Sequence, residues 1–121
     1  MPKPEREFYS SEHLDWEPVE ASPTAGAGGA GVYQKILSRD PETGDVTRLL
    51  RFDPGVETKD AIAHDFWEEV WIVSGAITDL RLHETFTSGM YACRPPGMPH
   101  GPWASPEGCV TFEVRYAGPT A

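Results

Sequence analysis

His64-Asp65-Phe66-Trp67-Glu68-Glu69-Val70-Trp71-Ile72 is the stretch on which the fold turns. It is rich in aromatic and β-branched residues, and it reads as a strand. Side chains alternate faces along a strand. His64, Phe66, Glu68, Val70 and Ile72 therefore share one face, and Asp65, Trp67, Glu69 and Trp71 share the other. The first face mixes apolar bulk with one imidazole and one carboxylate. A carboxylate turned toward an apolar interior is costly unless it is paired or bound to a cation. Either arrangement needs a third group from elsewhere, and His100 is the candidate. It follows Pro95-Pro96-Gly97-Met98-Pro99, a rigid corner that can aim it inward. Two imidazoles and one carboxylate suit iron(II), and also zinc, manganese or nickel, with positions left open for water or substrate. The plainer alternative is that both histidines are structural and that Glu68 pairs with an arginine such as Arg51 or Arg94.

On either side of this stretch the chain alternates strand and turn signals. Val32 to Leu37 and Val46 to Phe52 flank the turn Asp40-Pro41-Glu42-Thr43-Gly44-Asp45, which makes a hairpin. Ile62 to Ser74 reads as one long strand closed by Gly75, and Ala76 to Leu82 as the next. Phe86 to Arg94, His100 to Ala104 and Cys109 to Tyr116 follow, separated by Pro/Gly breaks. No segment holds a helical apolar period, so little helix is expected. Many short strands with Gly/Pro turns imply an all-β sandwich or barrel. Residues 1–30 read as an N-terminal arm, anchored by Phe8, Tyr9, Leu14 and Trp16, with a flexible Gly-rich connector, Ser22-Pro23-Thr24-Ala25-Gly26-Ala27-Gly28-Gly29-Ala30-Gly31, at its end. Residues 31–118 are the expected barrel.

The chain has 121 residues, enough for one core, and a formal net charge of −9. That charge repels a phosphate backbone, so a nucleic-acid partner is not expected. No run of about 18 apolar residues is present, so no membrane-spanning helix is expected. The N-terminus lacks the apolar run of a secretory signal, which points to the cytoplasm. Cys93 and Cys109 form no C-x-x-C pair and are expected as reduced, buried side chains.

Two spacings resemble the cupin superfamily. Gly89, five residues, Pro95, one residue, Gly97, two residues and His100 match the second cupin motif. His64, three residues, Glu68, six residues and Gly75 resemble the first. The terminal Asn of the second motif is Ala104 here. The first motif normally carries two histidines as H-x-H, and the earlier of them falls at Ile62. The opening glycine, Gly55, lies one residue too far upstream. The resemblance implies a double-stranded β-helix, or jelly-roll barrel. It also implies one divalent ion, iron(II) or zinc first, held by the reduced set His64, Glu68 and His100. Trp16-Glu17-Pro18, Gly31-Val32-Tyr33-Gln34-Lys35-Ile36-Leu37 and Leu49-Leu50-Arg51-Phe52-Asp53-Pro54-Gly55 narrow it to one branch. That branch holds acetylacetone dioxygenase-like enzymes and the zinc-binding cupin half of ChrR-type anti-sigma factors.

Further cavity-lining residues are sought among Arg51, Arg81, Arg94, Glu113 and Arg115. An inward arginine can hold a carboxylate or enolate. If Phe112 and Val114 face outward, Glu113 faces in and is placed to act as a general base. Glu113, Arg51 and Arg94 are thus the catalytic candidates. Asp60 shares parity with His64 and is a further ligand candidate or a solvated loop residue. Tyr91 and Arg94 have opposite parity, so only one of them faces inward. Trp67 and Trp71 share the outward face and need a cover, either the arm or a homodimer partner. The expected function is a metal-dependent cupin enzyme acting on a small oxygenated molecule of the enolisable ketone or diketone kind, dioxygenase-like. The alternatives are a zinc- or ligand-sensing cupin and a metal-free cupin that uses acid–base residues for dehydration or isomerisation.

Overall fold

The computed structural model describes residues 3–19 and 31–117. Most of the Gly-rich connector lies outside the described residues. Nine strands form one curled antiparallel sheet, and the helical content among the described residues is a single 3-10 turn, Ser11–His13. The strands are β1 (Glu17–Pro18), β2 (Val32–Arg39), β3 (Val46–Phe52), β4 (Val56–Glu57), β5 (Trp67–Asp79), β6 (Glu84–Thr87), β7 (Tyr91–Arg94), β8 (Trp103–Ser105) and β9 (Cys109–Tyr116). Among the described residues no helix is long and apolar enough to cross a membrane.

Strand β5 organises the barrel. The sequence reading ended it at Ser74, but it runs on to Asp79. Its first part, Trp67 to Gly75, pairs with β9, and Glu68 to Trp71 also pair with β7. Its last part, Ala76 to Asp79, pairs with β6, and Thr78 and Asp79 also pair with β8. The change of partners follows an irregularity between Ile72 and Ser74, and then Gly75 at φ +80°. One extra residue and one left-handed glycine bend the strand, so it continues where an ordinary strand would end. Two other expected strands are divided or shifted. Phe86 to Arg94 is broken by the Ser88-Gly89 turn into β6 and β7. His100 precedes β8 and makes only an isolated bridge to Ile62.

The core lies on the concave side. Val32, Leu50, Phe52, Val56, Ile72, Ile77 and Cys109 form its cluster. Each large aliphatic or aromatic side chain there contributes about 1.5–3 kcal/mol by leaving water. In β3 the alternation is complete: Val46, Arg48, Leu50 and Phe52 are buried, and Thr47, Leu49 and Arg51 are not. The arm lies along β2 and β3. Pro18 pairs with Tyr33, the Tyr9 hydroxyl donates to the Leu37 carbonyl, and the Lys3 ammonium donates to Thr47. Lys35 and Arg51 sit over the Trp16 ring. Phe8, expected as an anchor, is fully exposed. These arm contacts do not extend to Trp71, which is 47% exposed, whereas Trp67 stacks on Tyr116.

Cys109 is buried in the core, and burial, helped by Glu113, pushes its thiol up to about 11. Cys93 corrects the sequence reading. It shares the outward parity of Tyr91 in β7 and is exposed. A maleimide at pH 8 should therefore label one cysteine quickly, and Cys93→Ser should abolish that labelling. Equal labelling of both thiols in the folded chain would contradict this packing.

Candidate metal centre and cavity

Four neighbouring strands place a row of charge on the concave face. Their registers set Arg48 of β3 opposite Glu113 of β9, Arg115 of β9 opposite Glu68 of β5, and Glu68 opposite Arg94 of β7. Glu68 is 2% exposed. Its Oε1 accepts from Arg94 Nη1 at 2.8 Å, and its Oε2 accepts from Arg115 Nε at 2.7 Å. Glu113 Oε1 accepts from Arg48 Nε at 3.0 Å, and Oε2 accepts from the Thr111 hydroxyl at 3.3 Å. Arg48 Nη1 reaches the Gln34 side-chain oxygen at 2.6 Å. Burial alone would raise the Glu68 carboxyl's pKa, but the charges of Arg115 and Arg94 outweigh it and hold the group below its ordinary value.

Two loops bring the histidines to this row. Ile62 and His100 exchange both backbone N–H···O bonds at 2.8 Å, and Gly97 N–H donates to the His64 carbonyl. His64 thus lies ahead of β5, in the connecting loop, and stacks on Phe66. Its Nε2 is buried without a hydrogen-bond partner and lies 3.9 Å from Glu68 Oε2. His100 Nε2 lies 3.8 Å from Glu68 Oε1, while its Nδ1 donates to the Met98 carbonyl at 3.3 Å. That bond puts the ring proton on Nδ1 and leaves the Nε2 lone pair facing the site. Burial and the charge of Arg115 lower the His64 pKa, and burial and Arg94 push that of His100 down to about 4. Both rings are therefore neutral at pH 7, as ligation requires.

One ligand atom from each of His64, Glu68 and His100 lies within 4.8 Å of the others. A carboxylate has about four lone-pair sites, so two guanidinium bonds still leave acceptor capacity on Glu68. The orphaned imidazole nitrogen and the mixed nitrogen and oxygen donors fit a divalent ion. Ile62, at the position of the missing motif histidine, is 48% exposed at the mouth of the cavity and offers no donor.

The cavity behind this row measures about 490 Å³. Arg94 and Glu113 line it, as do Arg48, Arg81 and Arg115. Arg51 does not. It has the outward parity of Leu49, pairs with Asp53 at 3.1 Å and stacks on Trp16 and Tyr33. Its candidacy as a cavity residue is thereby corrected. Arg94 faces Glu68 while the Tyr91 hydroxyl bonds to Glu69 on the outer face, so their opposite parity is realised. Asp60 is exposed at the mouth. Arg48 was missed by the sequence reading. The signal was present, because it alternates in phase with Val46, Leu50 and Phe52.

Residues 5–117 match the family described as the ChrR cupin-like domain. The chain belongs to this cupin family. Its fold is shared by solved structures of low identity. An RmlC-like cupin from Shewanella frigidimarina is 20% identical with a TM-score of 0.71, covering 98% of this chain and 96% of that one. An acetylacetone dioxygenase from Acinetobacter johnsonii is 19% identical with a TM-score of 0.66, covering 98% and 82%. The polyketide cyclase RemF from Streptomyces resistomycificus is 15% identical with a TM-score of 0.71, covering 94% and 81%. No curated protein sequence matches. At these identities the likeness shows the cupin fold alone.

Proposed function

We propose that this cupin is a metal-dependent enzyme acting on a small oxygenated organic molecule of the enolisable ketone or diketone kind, with one divalent ion held by His64, Glu68 and His100. The observation that carries the reading is the buried, unpartnered Nε2 of His64, set beside Glu68 and His100 at the cavity wall. When bound, iron(II) supplies redox chemistry toward oxygen, whereas zinc supplies Lewis acidity. The likeness to an acetylacetone dioxygenase favours the first. Around the ion, Arg94 and Arg115 fix the orientation of the Glu68 carboxylate, and the Met98 carbonyl fixes the ring of His100. Leu50, Phe52 and Ile72 make part of the cavity wall apolar.

A second reading has its own support. Both oxygens of Glu68 are already held by guanidinium groups, which suits a metal-free cupin whose histidines move protons. Metal content separates the two. Wild-type protein should carry about one iron or zinc per chain, and His100→Ala should weaken binding by more than about 100-fold, beyond the loss expected from an outer-sphere partner. Emission spectroscopy on untagged protein reads this directly. No retained metal in either protein after reconstitution would reject the metal-dependent reading in favour of the second.

A further inference from the structure

The cavity is larger, more apolar and more unevenly charged than a small neutral diketone needs. Its volume of about 490 Å³ equals roughly sixteen water molecules' share of the liquid, so a small diketone would leave most of it unfilled. Arg48, Glu68, Arg94, Glu113 and Arg115 form one charged pole, and much of the remaining wall is aliphatic and aromatic, including Ile77, Phe86 and Trp103. The mouth has the same character. Ile62, Leu82, Met90 and Met98 are among the chain's exposed large apolar side chains, and all four line the cavity. Exposed apolar side chains gathered around one opening mark a place where apolar matter is taken up.

The pole itself carries surplus positive charge. Three guanidinium groups, Arg48, Arg94 and Arg115, face two carboxylates, Glu68 and Glu113. Arg94 and Arg115 each use one nitrogen on Glu68, and their other donors have no protein hydrogen bond among the described residues. A guanidinium has five N–H donors, so several remain for a ligand. The other buried carboxylate, Asp79, has its oxygens taken by the backbone N–H groups of Arg81, Leu82 and Gly101. At the mouth, Asp60 and Arg81 balance in charge.

We propose that the ligand of this cavity is an amphipathic organic anion, with a carboxylate or enolate head at the Arg94–Arg115 pole and an aryl or medium-chain alkyl body along the apolar wall. This deepens the functional reading above and rests on its use of the cavity for substrate, but not on the ion. The head pairs with guanidinium donors in a low-dielectric wall, where such bonds are strong. Each methylene of the body moved out of water raises affinity by a factor of about four.

Calorimetry with three probes tests this on the protein as purified, with metal content measured on the same samples. Phenylbutyrate has head and body, acetate the head alone, and phenylbutanamide the body without the charge. Phenylbutyrate should bind at least about tenfold tighter than either of the others. Leu82→Gln, an exposed and uncharged polar change at the rim, should lower phenylbutyrate affinity about threefold or more and acetate affinity less. Acetate binding as tightly as phenylbutyrate would overturn the apolar body, and the amide binding as tightly would overturn the anionic head. A protein that retains no metal after reconstitution and still ranks the probes as stated supports this inference while rejecting the metal-dependent reading. A metal-loaded protein that does not rank them rejects this inference alone.

Discussion

Gly75→Ala should remove most or all of the folded protein. A Cβ built at Gly75 would lie 2.2 Å from the Gly108 carbonyl oxygen and 2.9 Å from Cys109 Cα. Both are backbone atoms, so no side chain can swing aside. Gly108 cannot retreat either, because its carbonyl accepts from Ala76 N–H at 3.1 Å and a Cβ at Gly108 would itself approach Phe52 O at 3.2 Å. The backbone of Gly75 also sits at φ +80°, where an L side chain costs about 1–2 kcal/mol before any clash. The overlap adds a few kcal/mol more, against a total stability of about 5–15 kcal/mol. Gly89→Ala is the control. Its φ is +89°, but its Cβ would meet nothing within 4 Å, so only the backbone cost of about 1–2 kcal/mol applies. Thermal unfolding followed by circular dichroism compares the two. Equal midpoints for both variants would mean that the crossing of β5 over Gly108 is not as tight as described.

Glu68→Ala should have the next largest effect, and it should appear in protein stripped of metal. The change removes the carboxylate to which Arg94 and Arg115 both hydrogen-bond, leaving two guanidinium groups against the face of a largely apolar cavity. Breaking a buried ion pair from one side costs about 3–5 kcal/mol. The arginine side chains are 13% and 25% exposed, which places the expected loss near the lower figure, about 3 kcal/mol. Glu68→Gln keeps the shape and one acceptor oxygen and should fall between the two. Denaturant unfolding in chelator gives the comparison. A Glu68→Ala protein as stable as wild type would show that the row Arg115–Glu68–Arg94 contributes nothing to holding the fold, and its value would then be sought in ligand binding alone.

Where the sequence alternated cleanly between two strong turns, the structure could be read from it. β3 and β9 fall at Val46–Phe52 and Cys109–Tyr116 as expected, and Glu113, inward on condition that Phe112 and Val114 faced out, is buried. Strand alternation put Glu68 on the buried face of β5. It failed at both ends of that strand. His64 reaches the site from a loop that is closed by the Ile62–His100 bridge, a pairing with no local signal. Gly75 looked like a stop because a left-handed glycine usually ends a strand, and only the bulge before it lets the strand continue. Parity also says which side a residue faces, but not which residue stands across from it. The plainer alternative paired Glu68 with an arginine such as Arg51 or Arg94. The interstrand register, set by distant turns, gives it Arg94, adds Arg115 and leaves Arg51 outside.

The charged row has a consequence for how the chain is made. Glu68 is synthesised 47 residues ahead of Arg115, and Arg48 is synthesised 65 ahead of Glu113. Until β9 has left the ribosome, Arg48 lacks its carboxylate partner and Glu68 has only Arg94 of the two arginines that flank it. At about 5–20 residues per second that wait lasts seconds, far longer than a hairpin needs to form. The β2–β3 hairpin can close meanwhile, but its Arg48 then faces water on what will become an inner surface. Until the late strand inserts between β3 and β5, the nascent chain lacks Arg115 and Glu113, and so lacks the complete pole at which an anion would bind. A ligand held by Arg115 therefore stabilises the protein only after β9 has taken its place.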